Sequence, residues 1–317
     1  YAVGMNSGTD ALIMILRALG IGPADEVITV PNSFFATAAA IDVVGAKIVF
    51  VDVNDEYLMD VNKLKDAITV NTVAILPVQW GGNMADMPAI RKIAKEKDLY
   101  VIEDAAQAID ANINGKKAGA WGFASGFSFH PLKNLNGWGD GGMVTTNDKR
   151  LADKLKLMRN HGLKDRDHCE FFSYNCRLHS IQAVILNKLL EDIVALTNKR
   201  IANANLYYEL LKGVNDVVLP LYRPVNVRHV YHTFIIQVDK RDELMKFLEA
   251  NEIEVKVHYP TPLHLQKAAR HLGYKKGDFP VCEKQARRIM TLPVHQFLTI
   301  EQIHFVAEKI KEFFGKK

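Results

Sequence analysis

Two side chains define the chemistry this sequence can do. Lys133 lies between Ser128-Phe129-His130-Pro131-Leu132 and a glycine-rich run, Gly137-Trp138-Gly139-Asp140-Gly141-Gly142. Asp104 closes the apolar stretch Val101-Ile102-Glu103-Asp104, which reads as a buried strand ending in an acid. The lysine follows that acid by 29 positions. Glycines beside a reactive lysine let backbone approach a ligand closely and take positive φ. An acid at a strand end and a lysine on a later loop are what a pyridoxal phosphate (PLP) site requires. The amine forms a Schiff base with the aldehyde, and the carboxylate keeps the pyridinium nitrogen protonated. A strand-end Asp by itself more often caps a helix. Its pairing with Lys133 favours the chemical role.

A phosphate needs its own seat. Asn6-Ser7-Gly8-Thr9-Asp10 follows a short apolar strand (1–5) and opens a helix over 11–19 that stops at Gly20 and Gly22. Ser7, Thr9 and Asp10 are good N-cap residues. A helix N-terminus built from small, hydroxylated residues offers free N–H groups and a positive dipole end to an anion. In isolation this is a plain N-cap; beside the lysine and acid motifs it reads as a phosphate cradle.

Five segments occur in order: Asn6 to Leu12, Glu103-Asp104-Ala105-Ala106-Gln107, Ser128 to Asn134, Gly139-Asp140-Gly141-Gly142, and Tyr174-Asn175-Cys176-Arg177. Each is weak alone. Together they are specific, and from Gly4 to Phe313 the chain resembles the DegT/DnrJ/EryC1/StrS family of PLP-dependent nucleotide-sugar aminotransferases. The resemblance implies PLP as cofactor, a type I fold like that of aspartate aminotransferase, and a homodimer with shared active sites. It implies transfer of an amino group from L-glutamate to a keto group of a nucleotide-linked sugar, for lipopolysaccharide, O-antigen, glycan or antibiotic biosynthesis.

The same resemblance assigns roles. It puts the cofactor phosphate on Gly8, Thr9 and Ser128, the ring nitrogen on Asp104, and the ring hydroxyl on Gln107. An aromatic from the loop before the second helix stacks on the ring. Counting back from Ala36-Thr37-Ala38 selects Phe34, and counting forward from Pro31 selects Phe35; Phe34 is preferred. Asn175 matches the residue that reaches the partner subunit's cofactor phosphate. Arg177 is a candidate for an anionic substrate group, since guanidinium binds phosphate or carboxylate bidentately; the plain alternative is an interface salt bridge. His258-Tyr259-Pro260, Pro262-Leu263-His264-Leu265-Gln266 and Gly277-Asp278-Phe279-Pro280 resemble the branch that forms 3-amino sugars. His258, Tyr259 and His264 there could read sugar hydroxyls or form a structural rim. A metal on His258 and His264 would lack a third ligand. The family carries a further segment before the position of Tyr1, so the native N-terminus is expected to be missing from this sequence.

The elements that must position these residues read as α/β. Apolar runs at 26–30, 48–53, 73–78, 101–104, 125–129 and 143–146 alternate with helical stretches at 34–44, 88–96 and 148–158. Such alternation predicts a mostly parallel central sheet flanked by helices. Gln79-Trp80-Gly81-Gly82 follows a strand at the edge where α/β sites gather, without an assigned role. One long helix over 180–211 links to a second unit. That unit has strands at 232–238 and 255–259 and helices at 241–251, 282–290 and 299–314. The division is a large PLP-binding domain over 1–200 and a small α/β domain over 201–317.

The bulk properties agree. A chain of 317 residues is long for one core. Its net charge of +4, without a dense Lys/Arg block, suits an anionic substrate better than nucleic acid. Three cysteines without C-x-x-C spacing argue against a disulfide framework or zinc site and for a reducing cytoplasm. No apolar run reaches the roughly 18 residues a membrane span needs.

Rival functions fare worse. Sugar dehydratases of the same fold carry histidine in place of the lysine. A regulatory PLP binder without turnover would not need the full Asp104, Gln107, Ser128 and Lys133 set. A nicotinamide enzyme needs G-x-G-x-x-G after a strand, and the glycines at 137–142 have other spacing.

Overall fold

The structure is a computed structural model that describes residues 1–221 and 226–315. The first strand, β1 (Ala2–Met5), leads into α1 (Gly8–Ala18). Then come β2 (Glu26–Thr29), α2 (Phe35–Val43), β3 (Lys47–Phe50), a short α3 (Val61–Leu64), β4 (Thr72–Ile75), α4 (Met87–Glu96) and β5 (Tyr100–Asp104). A small hairpin, β6 (Asn112–Ile113) and β7 (Lys116–Lys117), precedes β8 (Ala124–Ser128), β9 (Gly142–Thr146) and α5 (Lys149–Met158). The central sheet has the order β1-β9-β8-β5-β4-β2-β3. β9 runs antiparallel to both neighbours, and the other pairings are parallel. The β2 strand is buried along its whole length, as a strand covered on both faces must be. The expected mostly parallel sheet flanked by helices is therefore present.

The rest of the chain differs from expectation in three places. The single helix expected over 180–211 is two, α6 (Ser180–Leu190) and α7 (Ile193–Leu211). The break falls at Glu191 and Asp192, where the Asp192 amide bonds back to Leu189 and its carbonyl starts the next helix through Leu196. The strand expected over 255–259 is an irregular segment with one bridge, Lys256 to Thr291. Pro260 and Pro262 beyond it have no N–H to extend a ladder. β10 (Val227–Arg228) pairs with β6, and α8 (Arg241–Ala250) follows β11 (Phe234–Gln237). After α9 (Pro280–Arg288) comes β12 (Ile289–Leu292), read beforehand as the end of a helix; it pairs with β11. The chain then enters α10 (Ile300–Phe313), closed at its start by a capping box on Thr299 and Gln302.

Apolar side chains gather in two cores. The larger holds the sheet with α1, α2 and α4; the smaller holds Tyr207, Phe234, Leu244, Met290 and Ile303. Among the described residues no helix is long and apolar enough to cross a membrane. One buried acid ties the sheet to the C-terminal half. Asp52, 3% exposed, accepts the Val281 amide on Oδ2 (3.1 Å) and the Cys282 amide on Oδ1 (3.0 Å), both in the first turn of α9. Lys63 lies 3.2 Å from Oδ2. Asp52→Ala should strand two amides at a helix N-terminus and destabilise the fold by about 2 kcal/mol or more. Lys63→Ala, at a solvent-facing lysine, should cost under about 1 kcal/mol. Urea unfolding midpoints of the two variants check this.

Candidate active site

The site lies where the strands end. β5 stops at Asp104, β8 stops at Ser128, and β1 hands over to α1, all at the carboxyl edge of the parallel strands. Between them is a cavity of about 330 Å³. Gly8, Thr9, Phe34, Asp104, Gln107, Ser128, Lys133, His258 and Tyr259 all line it. Phe35, the other aromatic of the Phe34 loop, does not line it.

Asp104 and Lys133 govern its electrostatics. Burial pushes the Asp104 carboxyl above its ordinary range, and Thr37, Ala106 and the Lys133 charge oppose that. The Thr37 hydroxyl donates to Oδ2 at 2.6 Å, and the Ala106 amide donates to Oδ1 at 3.2 Å. Because Thr37 gives its proton to the carboxylate, its oxygen accepts from Ser33 at 2.6 Å. Lys133 is shifted the other way: burial lowers its pKa, and Asp104 opposes the fall. A lowered amine pKa raises the share of neutral, nucleophilic lysine near neutral pH.

Opposite this pair, the start of α1 is open. Ser7 caps the helix, its Oγ accepting from the Asp10 amide and its carbonyl from the Ala11 amide. Among the described residues no hydrogen bond from the Gly8 or Thr9 amide is found. Gly8 packs so closely on β8 that an added Cβ would lie 2.6 Å from Ser128 Cβ. A glycine there brings the bare helix end and the Ser128 hydroxyl together.

The walls come from later in the chain. Gln107 accepts the Gly81 amide on Oε1 at 2.6 Å, and its side chain interacts with Tyr259. Burial, with the Asp104 charge, pushes the Tyr259 phenol up to about 12. His258 bonds the Thr291 hydroxyl through Nδ1 at 2.9 Å, and burial with Lys133 and Lys256 holds its pKa below normal.

Three expected residues lie elsewhere. His264, expected to read sugar hydroxyls, is 2% exposed and turned away from the cavity. Its Nε2 is 3.1 Å from Glu283 Oε1, and its ring meets Phe279 edge-on. The turn Leu263–Leu265 docks on the Pro31 carbonyl and carries His264 inward, so it is a packing residue. Asn175 and Arg177 are exposed on an extended segment bridged to Asn160 and Met5, and neither lines the cavity of its own chain. Arg177 donates to Asn160 Oδ1. Sequence reasoning missed Thr37, used there only to count along a loop, and His232, which also lines the cavity. Gln79, left without a role, is fully buried and bonds Glu103 and the Ala85 amide.

Comparison with known proteins settles the family. The model of the DegT/DnrJ/EryC1/StrS aminotransferase family matches residues 1–311. The chain belongs to this family. It is 45% identical to the UDP-N-acetyl-3-dehydro-alpha-D-glucosamine 3-aminotransferase of Acidithiobacillus ferrooxidans, covering 98% of this chain and 84% of the relative. It is 44% identical to the pleiotropic regulatory protein of Geobacillus stearothermophilus, covering 99% and 85%. The crystal structure of Streptomyces venezuelae DesV in complex with a ketimine intermediate superposes with a TM-score of 0.96 at 38% identity, covering 100% of this chain and 85% of that one. The DegT/DnrJ/EryC1/StrS chain described here is thus an aminotransferase with the α/β architecture of its relatives.

The Thr37 contact yields a prediction for this aminotransferase. The hydroxyl favours the ionised form of Asp104, so Thr37→Val should raise the Asp104 pKa. The acidic limb of the rate–pH profile should then move to higher pH by about one unit, the size of a lost hydrogen bond to a charge. Thr37→Ser should return it. An unmoved limb would detach Thr37 from the ionisation of Asp104.

Proposed function

We propose that this aminotransferase uses PLP and moves an amino group from L-glutamate to the C3 keto group of a nucleotide-linked sugar. The observation that carries the reading is the convergence on one cavity of Lys133, Asp104 and the Gly8 and Thr9 amides, which find no partner among the described residues. The donors suit the cofactor. The Gly8 and Thr9 amides with the Ser128 hydroxyl fit a phosphate, Asp104 fits a protonated pyridinium, Gln107 fits the ring hydroxyl and Phe34 the ring face. When bound, PLP supplies an electron sink at the carbon that loses its proton. Lys133 would hold the cofactor through its amine, and its neutral form would take and return the proton at the substrate carbon. Thr37, Ala106 and the Lys133 charge favour the ionised form of Asp104 against the burial that disfavours it. Phe34 and Tyr259, with ring centres 5.8 Å apart, narrow the cavity against water, and His258 and Tyr259 face the sugar. The three free thiols suit a reducing cytoplasm.

Purified protein should be yellow, and borohydride should fix the cofactor to Lys133 in a peptide map. A label elsewhere, or no cofactor, sinks the proposal. L-Glutamate should bleach the colour and release one 2-oxoglutarate per chain. A regulatory binder would keep its colour. Asp104→Asn should fold and lose most of the rate, because a neutral amide cannot stabilise the cation.

We propose further that Asn175 and Arg177 serve the site of a second copy. They flank an apolar surface in which Phe172 is fully exposed and Ile181 and Val184 are more than half exposed. Such a patch on a single chain marks an interface. The reading gives each phosphate a donor from its partner's Asn175. Mixing Lys133→Ala subunits with Asn175/Arg177 double-variant subunits should restore part of the activity, since one hybrid site is then wholly wild type. Tagged chains must first be seen to exchange. With exchange established, activity that stays at the level of the parents would mean that each chain completes its own site.

A further inference from the structure

His232 lines the cavity with Lys133. Its surroundings fix its tautomer. Asn134, the residue next to Lys133, donates from Nδ2 to the Val230 carbonyl at 3.2 Å. A carbonyl only accepts, so the Asn134 amide nitrogen must point that way and its Oδ1 toward the histidine. His232 Nδ1 lies 3.2 Å from that Oδ1 and must therefore carry the proton. Nε2 is then a bare lone pair, and no partner for it is found among the described residues.

The support behind this ring is rigid. The Val230 amide bonds the Gly82 carbonyl and the Thr233 amide bonds the Gly81 carbonyl. At Gly82, φ is +88° and an added Cβ would lie 2.9 Å from the His232 amide, so only glycine lets the two segments meet. Arg200 holds the Tyr231 and His232 carbonyls from α7.

The charges facing the ring keep it neutral. Burial, Lys133 from the lysine loop, Arg200 from α7 and His258 from the 255–259 segment all hold its pKa well below normal. A neutral ring with a bare nitrogen offers an acceptor to a donor group and repels a carboxylate.

Lys133 needs such an acceptor. Once it has taken a proton it is a buried ammonium, which is costly without a partner. Asp104 already accepts from Thr37 and from Ala106, and an ammonium has three N–H groups to satisfy, so a second acceptor in the cavity adds to what the carboxylate can give. We infer that His232 Nε2 is the seat for the Lys133 ammonium, a positioning residue that accepts its hydrogen bond while the lysine carries the proton. No proton passes to the imidazole: the N–H bond stays on Lys133. The inference rests on Lys133 being the reactive amine, which the borohydride map tests separately.

The test reads Lys133 itself in the full chain freed of cofactor. Labelling by trinitrobenzenesulfonate, quantified at Lys133 by mass spectrometry across pH, gives the share of neutral amine. His232→Phe fills the space without an acceptor. Below its midpoint it should label about tenfold faster than wild type, the change expected when a charged hydrogen bond is lost. His232→Gln, with an amide oxygen, should stay within about threefold of wild type. Equal acceleration in both variants, or none in His232→Phe, overturns the inference. If His232→Phe does not fold, ¹⁵N NMR decides. The Nε2 resonance of His232 should differ between wild type and Lys133→Ala. A resonance that ignores Lys133 and moves only on adding nucleotide sugar would make His232 a substrate contact and overturn the assignment.

Discussion

The structure turns on placing an acid and an amine together in a cavity that disfavours the charge on each. Desolvation raises Asp104 and lowers Lys133, and each charge opposes the shift of the other. Thr37 and the Ala106 amide favour the ionised carboxylate against burial, and they come from α2 and from the turn after β5. The sheet matters because it delivers Asp104, Ser128 and the start of α1 to one edge with no freedom to drift.

Two adjacent acids at the end of β5 show how local geometry divides labour. Successive strand residues face opposite sides. Glu103 points into the protein, fully buried, and accepts from the Trp121 and Gly122 amides, the Ser125 hydroxyl and Gln79. It organises the turn into β8. Asp104 points into the cavity. The same carboxylate chemistry serves as scaffold on one face and as site on the other.

The C-terminal half is part of the site and not an appendage to it. Its first contact is the Gly81-Gly82 turn, which ties Gln107 to the 230–233 segment. Its second is Thr291, at which His258 is anchored beside the Lys256 bridge. Its third is Asp52, which receives α9. The first and third join residues far apart in the chain and the second fixes His258 to β12, so the wall bearing His258 and Tyr259 is held against the floor bearing Lys133.

Much of this was legible in the residues. Strand apolarity and helix caps predicted the sheet, because strand ends and loops obey local rules, and Asp104 and Lys133, singled out by their spacing, do line one cavity. The motifs predicted Gly8, Thr9, Phe34, Gln107 and Ser128, and those residues do meet at one cavity. The break between α6 and α7 was not readable, since Glu191 and Asp192 fit a helix as well as a turn. Nor was the pairing of β12 with β11, whose partners are far apart in sequence. His264 looks like a rim donor beside two prolines, yet packing against Glu283 turned it inward. His232 carries no motif at all. Its tautomer and its bare nitrogen depend on Asn134, Val230 and Gly82, which no sequence pattern links. Local propensity is written along the chain, whereas the direction of a buried polar side chain is decided by which distant partner can satisfy it.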